Sequence, residues 1–104
     1  MNKIYLSNAF SLQMITTTEK VQVTIEPVDV NEVADSEFMS VIGHQDTANV
    51  VSAILGIPVD MNRMSVKLES GDILYVAQVT GGRLPEGATT IPEGMEIKFL
   101  KVTI

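Results

Sequence analysis

The chain has one histidine, His44, in the run Ile42-Gly43-His44-Gln45-Asp46-Thr47. Imidazole is the side chain best suited to give or take a proton near neutral pH. Apolar residues recur after it at 50, 51, 54 and 55, one stripe of a helix, so His44 falls at or just before a helix N-terminus. Unpaired N–H groups and the macrodipole there favour a bound phosphate. His44 is therefore a candidate acid for phosphoryl transfer; its commoner role would be a cap facing water. Arg83-Leu84-Pro85-Glu86-Gly87 follows an apolar run and the Gly81-Gly82 break. Arginine grips phosphate through its planar fork. A carboxylate beside a histidine favours the protonated imidazole. An ordinary loop would leave both groups in water. Asn8 and Ser11 are turn formers by type, or donors and acceptors for bases and riboses. Arg63 flanks a strand, or pairs with a phosphate. Gln78 sits in the most apolar run, where an unpartnered polar group costs about 1–3 kcal/mol. It needs a backbone partner or a ligand's base edge.

The elements that must position these groups follow from periodicity. Residues 3–7 read as a first strand, and Val21 to Glu26 alternate as a strand with one buried face. Phe38, Met39, Val41 and Ile42 suggest a short helix around 36–42, with Asp29, Asn31, Asp35 and Ser36 as candidate caps. The His44 helix ends where Gly56 suits the left-handed position after a C-terminus and Pro58 forbids continuation. Met64 to Leu68 alternate, Ser70-Gly71-Asp72 is turn chemistry, and Ile73 to Val79 is nearly all apolar. Together they read as a hairpin with its second strand buried on both faces. Residues 83–95 form a loop, and 96–104 a final strand kinked near Phe99 and Leu100. No structure is assigned to 12–19, which makes them candidates for a mobile lid. The fold class is α+β, a mixed or antiparallel sheet of about five strands covered on one face by one or two helices.

Composition narrows the function classes. With 104 residues, 45% hydrophobic and 19% charged, the chain is one ordinary folded domain spanning 1–104. No cysteine is present, so disulfides, thiolate metal sites and cysteine nucleophiles are excluded. Seven Lys+Arg against 13 Asp+Glu leave a net charge of −6. Long-range attraction to duplex nucleic acid or anionic membrane is thereby disfavoured. No apolar run approaches the roughly 20 residues of a membrane span. The opening residues read as strand rather than signal peptide, so the expected compartment is the cytoplasm. The phosphate-loop, nucleophile-elbow and zinc-protease motifs are all missing.

The opening Met1-Asn2-Lys3-Ile4-Tyr5-Leu6-Ser7-Asn8-Ala9-Phe10-Ser11-Leu12, the Gly-His-x-x-Thr segment at Gly43, His44 and Thr47, and Arg83-Leu84-Pro85-Glu86-Gly87 occur together at characteristic spacings. Asn62-Arg63 and the strand from Leu74 to Gln78 also lie at similar spacings. The chain resembles, over nearly its whole length, the viral anti-CRISPR ring nucleases that act against type III systems and their cellular relatives. The resemblance implies a homodimer that binds cyclic tetra-adenylate, with no cofactor and no metal. It implies catalytic roles for His44, Glu86 and Arg83. Ligand contacts would fall on Asn8, Ser11, Gln13, Arg63 and Gln78, with Gly43 and Thr47 in the histidine segment. Two departures stand out: Pro85 stiffens the arginine–glutamate segment, and Gln13 stands where relatives carry Asn. The segment after Gly87 is also shorter than in viral members.

The implied chemistry is a transesterification. The ribose 2′-hydroxyl attacks the adjacent phosphorus, held in line. Protonated His44 supplies a proton to the leaving 5′-oxygen, Arg83 stabilises the phosphate charge, and Glu86 keeps His44 protonated and oriented. The product is linear di-adenylate ending in a 2′,3′-cyclic phosphate. A ring of four identical nucleotides contains a two-fold axis, which a two-fold dimer matches. Two other classes compete: a module that sequesters a cyclic nucleotide uncut, and a DNA-binding regulator of a mobile element. The acidic charge and the missing basic recognition helix weigh against the last.

Overall fold

A computed structural model describes residues 3–16 and 18–104. Met1 and Asn2 of the opening motif, and Thr17 of the 12–19 segment, lie outside the described residues. The elements run β1 (Ile4–Ser7), a one-turn 3-10 helix (Leu12–Met14), β2 (Thr24–Pro27), α1 (Val30–Asp35), β3 (Met39–Ser40), α2 (Gln45–Leu55), β4 (Ile73–Thr80) and β5 (Glu96–Thr103). The five strands form one sheet in the order β2-β5-β4-β1-β3. β1 is parallel to both β3 and β4, and β5 is antiparallel to β4 and to β2. The architecture is the expected mixed five-stranded α+β sheet with two helices.

Both helices press on the same face. Val33 of α1 and Ala48, Val51 and Leu55 of α2 form one core with Leu6, Tyr75, Ala77 and Phe99 of the sheet. Fully burying a side chain such as Leu6 contributes about 1.5–3 kcal/mol. The opposite face carries Tyr5, Leu74, Val76 and Val102. Neither α1 nor α2 covers it; Val66 and Leu68 of an irregular segment do, with Phe10 and, from the 3-10 helix, Met14 alongside. β4 lies between these two cores, which is why Leu74 to Ala77 are all buried.

Four expectations need correction. The helix lies at 30–35 rather than 36–42, and Met39–Ser40 is strand. Asp29 caps the helix by accepting from the Asn31 N–H at 3.0 Å. Ser36 ends it, its hydroxyl donating to the Val33 carbonyl at 2.7 Å. β1 then draws the chain into the sheet, with the Val41 N–H donating to the Leu6 carbonyl at 2.8 Å. Residues 64–68 are no hairpin partner of β4, whose antiparallel neighbour is β5. Leu68 instead bridges Ile15 in parallel, so the alternation records Val66 and Leu68 plugging the helix-free face. β5 has no kink: its register with β4 is unbroken from Ile73↔Thr103 to Thr80↔Glu96. β2 has no buried face, because it is the edge strand and all four of its residues are exposed.

The turn before β4 is tied by Asp72. Its carboxylate, buried in the fold, accepts from the Lys3 N–H and from the Glu69 N–H, both at 2.9 Å. One aspartate thus aligns the starts of β1 and β4, and with them the far ends of the same strands.

Candidate functional site

β1, β3 and β4 are parallel, so they end on the same side of the sheet. β1 runs on into Asn8, β3 into Gly43-His44, and β4 into Gly81-Gly82-Arg83. The crevice beyond the carboxyl ends of parallel strands is where such sheets bind ligands. His44 is the N-cap residue of α2, and its side chain makes no capping hydrogen bond. The imidazole is exposed and free to meet another partner. It lines a cavity of about 430 Å³ together with Asp46, Thr47, Val79, Gly82, Arg83 and Leu84. His44, Thr47 and Arg83 are therefore brought together from distant parts of the chain. Among the described residues, neither Arg83 nor Arg63 is ion-paired with a carboxylate.

The loop carrying Arg83 is held at its neck and near its tip. At the neck, Gly81 has φ +93°, and a Cβ there would stand 2.6 Å from the Gly94 carbonyl oxygen. Only glycine permits this closeness of the two loop ends. Near the tip, the Gly87 N–H donates to Asp46 Oδ1 at 3.0 Å. The Ala88 N–H donates to the Pro85 carbonyl at 3.0 Å, and Gly87 has φ 79°. These mark a turn with Glu86 and Gly87 at its centre. Glu86 is exposed there and does not line the His44 cavity; the carboxylate in that wall is Asp46. Asp46 escaped sequence reasoning. Its only sequence signal, an acid in the first helical turn, reads equally well as a complement to the helix dipole.

Asn8 and Arg63 meet at Gly43. Asn8 Oδ1 accepts from the Gly43 N–H at 3.2 Å. The Arg63 stem lies alongside, 3.4 Å from where a Gly43 Cβ would be. The Asn62 N–H, donating to the Ile42 carbonyl at 2.8 Å, keeps that segment in place. Gln78 is exposed, not buried as the apolar run suggested, because the cover on β4 ends at Ala77. With Asn8 it lines a second hollow, of about 290 Å³, on the helix-free face. Ser11 and Gln13 are exposed and line neither hollow. The Ser11 hydroxyl accepts from the Gln13 N–H at 3.2 Å, capping the 3-10 helix. The Gln13 carbonyl accepts from Lys67 Nζ at 3.2 Å. A cavity of about 820 Å³ between Ile15, Leu68 and Ile104 has none of the candidate residues in its lining.

The resolved titration shifts lie away from this site. Tyr75 donates its hydroxyl to Glu32 Oε2 at 2.8 Å, and Lys101 Nζ stands 3.3 Å from the same oxygen. The Tyr75 bond, followed by Lys101, lowers the Glu32 carboxyl below its ordinary value. Burial, then the bond to Glu32, pushes the Tyr75 phenol up to about 12. The trio fastens α1 onto the sheet. Among the described residues, no group of three or more His, Cys, Asp or Glu is arranged to hold a metal.

The family model described as STIV B116-like matches residues 4–103. The chain belongs to the STIV B116-like family. B116 of Sulfolobus turreted icosahedral virus shares the fold, with a TM-score of 0.79 and 25% identity over 99% of this chain and 100% of that one. ORF116 of Acidianus filamentous virus 1 is 33% identical over 98 residues, 91% of this chain and 84% of its own length. ORF117 of Acidianus two-tailed virus is 33% identical over 95 residues, 80% of each chain. These relatives are proteins of archaeal viruses, and a viral origin fits them. Among the described residues, no helix is long and apolar enough to cross a membrane.

Proposed function

We propose that this member of the family is a ring nuclease. It acts as a homodimer in the host cytoplasm, opens cyclic tetra-adenylate without a metal, and silences type III CRISPR signalling. The observation that supports this best is the shared cavity of His44 and Arg83, whose imidazole and guanidinium have no partner among the described residues. The ribose 2′-oxygen attacks phosphorus while the bond from phosphorus to the 5′-oxygen breaks. The 2′-hydroxyl proton passes to solvent, and His44 returns one to the departing 5′-oxygen. That acid contributes about 10²–10⁴-fold. Arg83 and the first N–H groups of α2 bear on the charge at the phosphate, an effect of about 10²–10³-fold per donor. Asp46 holds the Arg83 loop against α2, and Glu86 rides on the same turn. Two copies bring these residues to opposite scissile phosphates of one ring.

A sequestering module draws support from one detail: Glu86 sits on the outside of its turn rather than in the wall beside His44. Incubation with cyclic tetra-adenylate in EDTA, read by chromatography, separates the two readings. Conversion to linear di-adenylate by the native chain, lost in His44→Ala with binding retained, is the expected result. An intact ring that co-elutes with the protein would replace the nuclease with the sequestering module. A ring neither bound nor cut would remove both.

A further inference from the structure

A groove of about 740 Å³ runs between β3, α2 and the segment 58–62, with none of the candidate residues in its lining. Its donors are largely spent inside the fold. The Ser40 hydroxyl donates to the Asp60 carbonyl at 2.6 Å. The Ser52 hydroxyl donates to the Ala48 carbonyl at 2.7 Å and accepts from the Val59 N–H at 2.8 Å. Asn62 Nδ2 donates to the Ser40 carbonyl at 2.9 Å and to Met64 Sδ at 3.4 Å. On the helix wall, Gln45 Nε2 donates to Asn49 Oδ1 at 2.8 Å, and both carboxamides keep spare hydrogens. The opposite wall can only accept. There the Asp60 carboxylate and the Asn62 side-chain oxygen have no partner among the described residues. The Asn62 oxygen is also held in place, because its backbone N–H donates to the Ile42 carbonyl at 2.8 Å while Nδ2 grips Ser40. Met39 and Met61, both exposed, line the same groove. Thioether chains adapt readily to aliphatic surface.

Two open acceptors sharing one negative charge, beside two flexible thioethers, match a cation with N–H donors and an aliphatic stem. An ammonium has three donors and no acceptor. The positive end of α2 disfavours it beside Gln45, which leaves the wall of Asp60 and Asn62. One carboxylate is too few for a divalent metal, which gathers several oxygen ligands. The net charge of −6 adds a general attraction for cations. We infer that this groove binds a primary alkylammonium group, from a free aliphatic amine or from a lysine side chain of a partner. The ammonium donates to Asp60 and to Asn62 Oδ1, and Met39 and Met61 cover the stem. The inference goes beyond the proposed nuclease and needs no bond to be cut.

The test titrates n-butylammonium chloride into the isotope-labelled full chain at low salt, followed by side-chain amide and methionine methyl NMR shifts. The Asn62 amide and the Met39 and Met61 methyls are expected to shift together. Ammonium chloride, which lacks the stem, should bind about threefold or more weakly. 1-Butanol, which lacks the charge, should shift none of them. Asp60→Asn keeps the side-chain shape and the backbone carbonyl that Ser40 uses, so the chain should fold while affinity falls about twofold to fivefold. Met61→Ser should weaken butylammonium and leave ammonium unchanged. 1,4-Diaminobutane and N-acetyl-lysine methylamide compare the two sources: tighter binding of the diamine assigns a free amine, and tighter binding of the lysine derivative assigns a partner's side chain. Shifts as large at the exposed Glu26 and Glu93 as at Asn62 would overturn the groove. The same shifts from magnesium chloride at equal concentration would overturn the alkylammonium assignment. An Asp60→Asn chain that binds butylammonium normally would overturn the role of the carboxylate. A chain that leaves cyclic tetra-adenylate uncut yet shows these shifts would lose the nuclease and keep the groove.

Discussion

Replacing Asp46 with alanine detaches the Arg83 loop without unfolding the domain. The bond lost is the Gly87 N–H to Asp46 Oδ1, at 3.0 Å. A hydrogen bond to a charged group contributes about 1.5–3 kcal/mol. Gly87 is exposed and Asp46 half-exposed, so water competes and about 1 kcal/mol is the appropriate magnitude. That corresponds to an open-loop population raised about fivefold. Asp46 also complements the α2 dipole, worth about 0.3–1 kcal/mol. Alanine returns a similar amount as a better helix former, so global stability stays nearly level. Amide hydrogen exchange reads the loop and urea denaturation reads the domain. Gly87 should exchange several-fold faster while Ala88, bonded to Pro85 within the turn, changes less. Asp46→Asn keeps an acceptor and should fall between. Unchanged Gly87 exchange in Asp46→Ala would refute the fastening role, and a large loss of global stability would show that Asp46 serves the helix rather than the loop.

Three further outcomes follow from the packing. Gly81→Ala should destabilise by about 2 kcal/mol or more in urea, because φ is positive and the new Cβ meets the Gly94 backbone at 2.6 Å; Gly82→Ala, with nothing within 4 Å, should cost less. Gly43→Ala meets only the Arg63 stem at 3.4 Å, so stability should shift by less than about 1 kcal/mol while the Arg63 side-chain NMR signals move. Tyr75→Phe should raise the Glu32 carboxyl back toward its ordinary value, seen by NMR titration. Because Glu32 is lowered in the folded chain, its contribution exists above the unfolded carboxyl value and disappears as pH falls through the folded one. Melting curves of native and Tyr75→Phe chains should therefore converge in acid. Tyr75 is raised to about 12, so folding stability should decline as pH climbs from about 10 through 12 in the native chain and not in the variant.

Long, strongly periodic elements were legible from residue order. Val50, Val51, Ile54 and Leu55 marked the buried stripe of α2, and Gly56 with φ 72° ends that helix as its position predicted. The apolar run at 73–79 became β4, buried over Leu74 to Ala77. Short elements were not legible. A six-residue helix such as α1 has too few internal bonds to declare itself; its caps and its seat on Leu6 and Tyr75 decide its place. The alternation at 64–68 was a true sign of half-burial, but burial against a sheet face and pairing within a sheet leave the same period-2 trace. Gln78 misled in the other direction. Apolar neighbours along a strand do not report where the cover over its face runs out.

The sequence by itself determined the kinds of chemistry available: one imidazole at a helix mouth, two arginines, no thiol, and an acidic surface unsuited to bulk nucleic acid. It also placed His44 at the N-terminus of α2, because helix ends are written in nearby residues. Only the tertiary structure decided what stands beside His44. Parallel pairing of β1, β3 and β4 carries Asn8, His44 and Arg83 to one end of the sheet. A single bond from Gly87 to Asp46 then sets the arginine loop against α2 and leaves Glu86 outside the cavity wall. Strand order and loop docking depend on which surfaces fit after collapse, and contacts between residues forty positions apart leave no periodic mark on the chain.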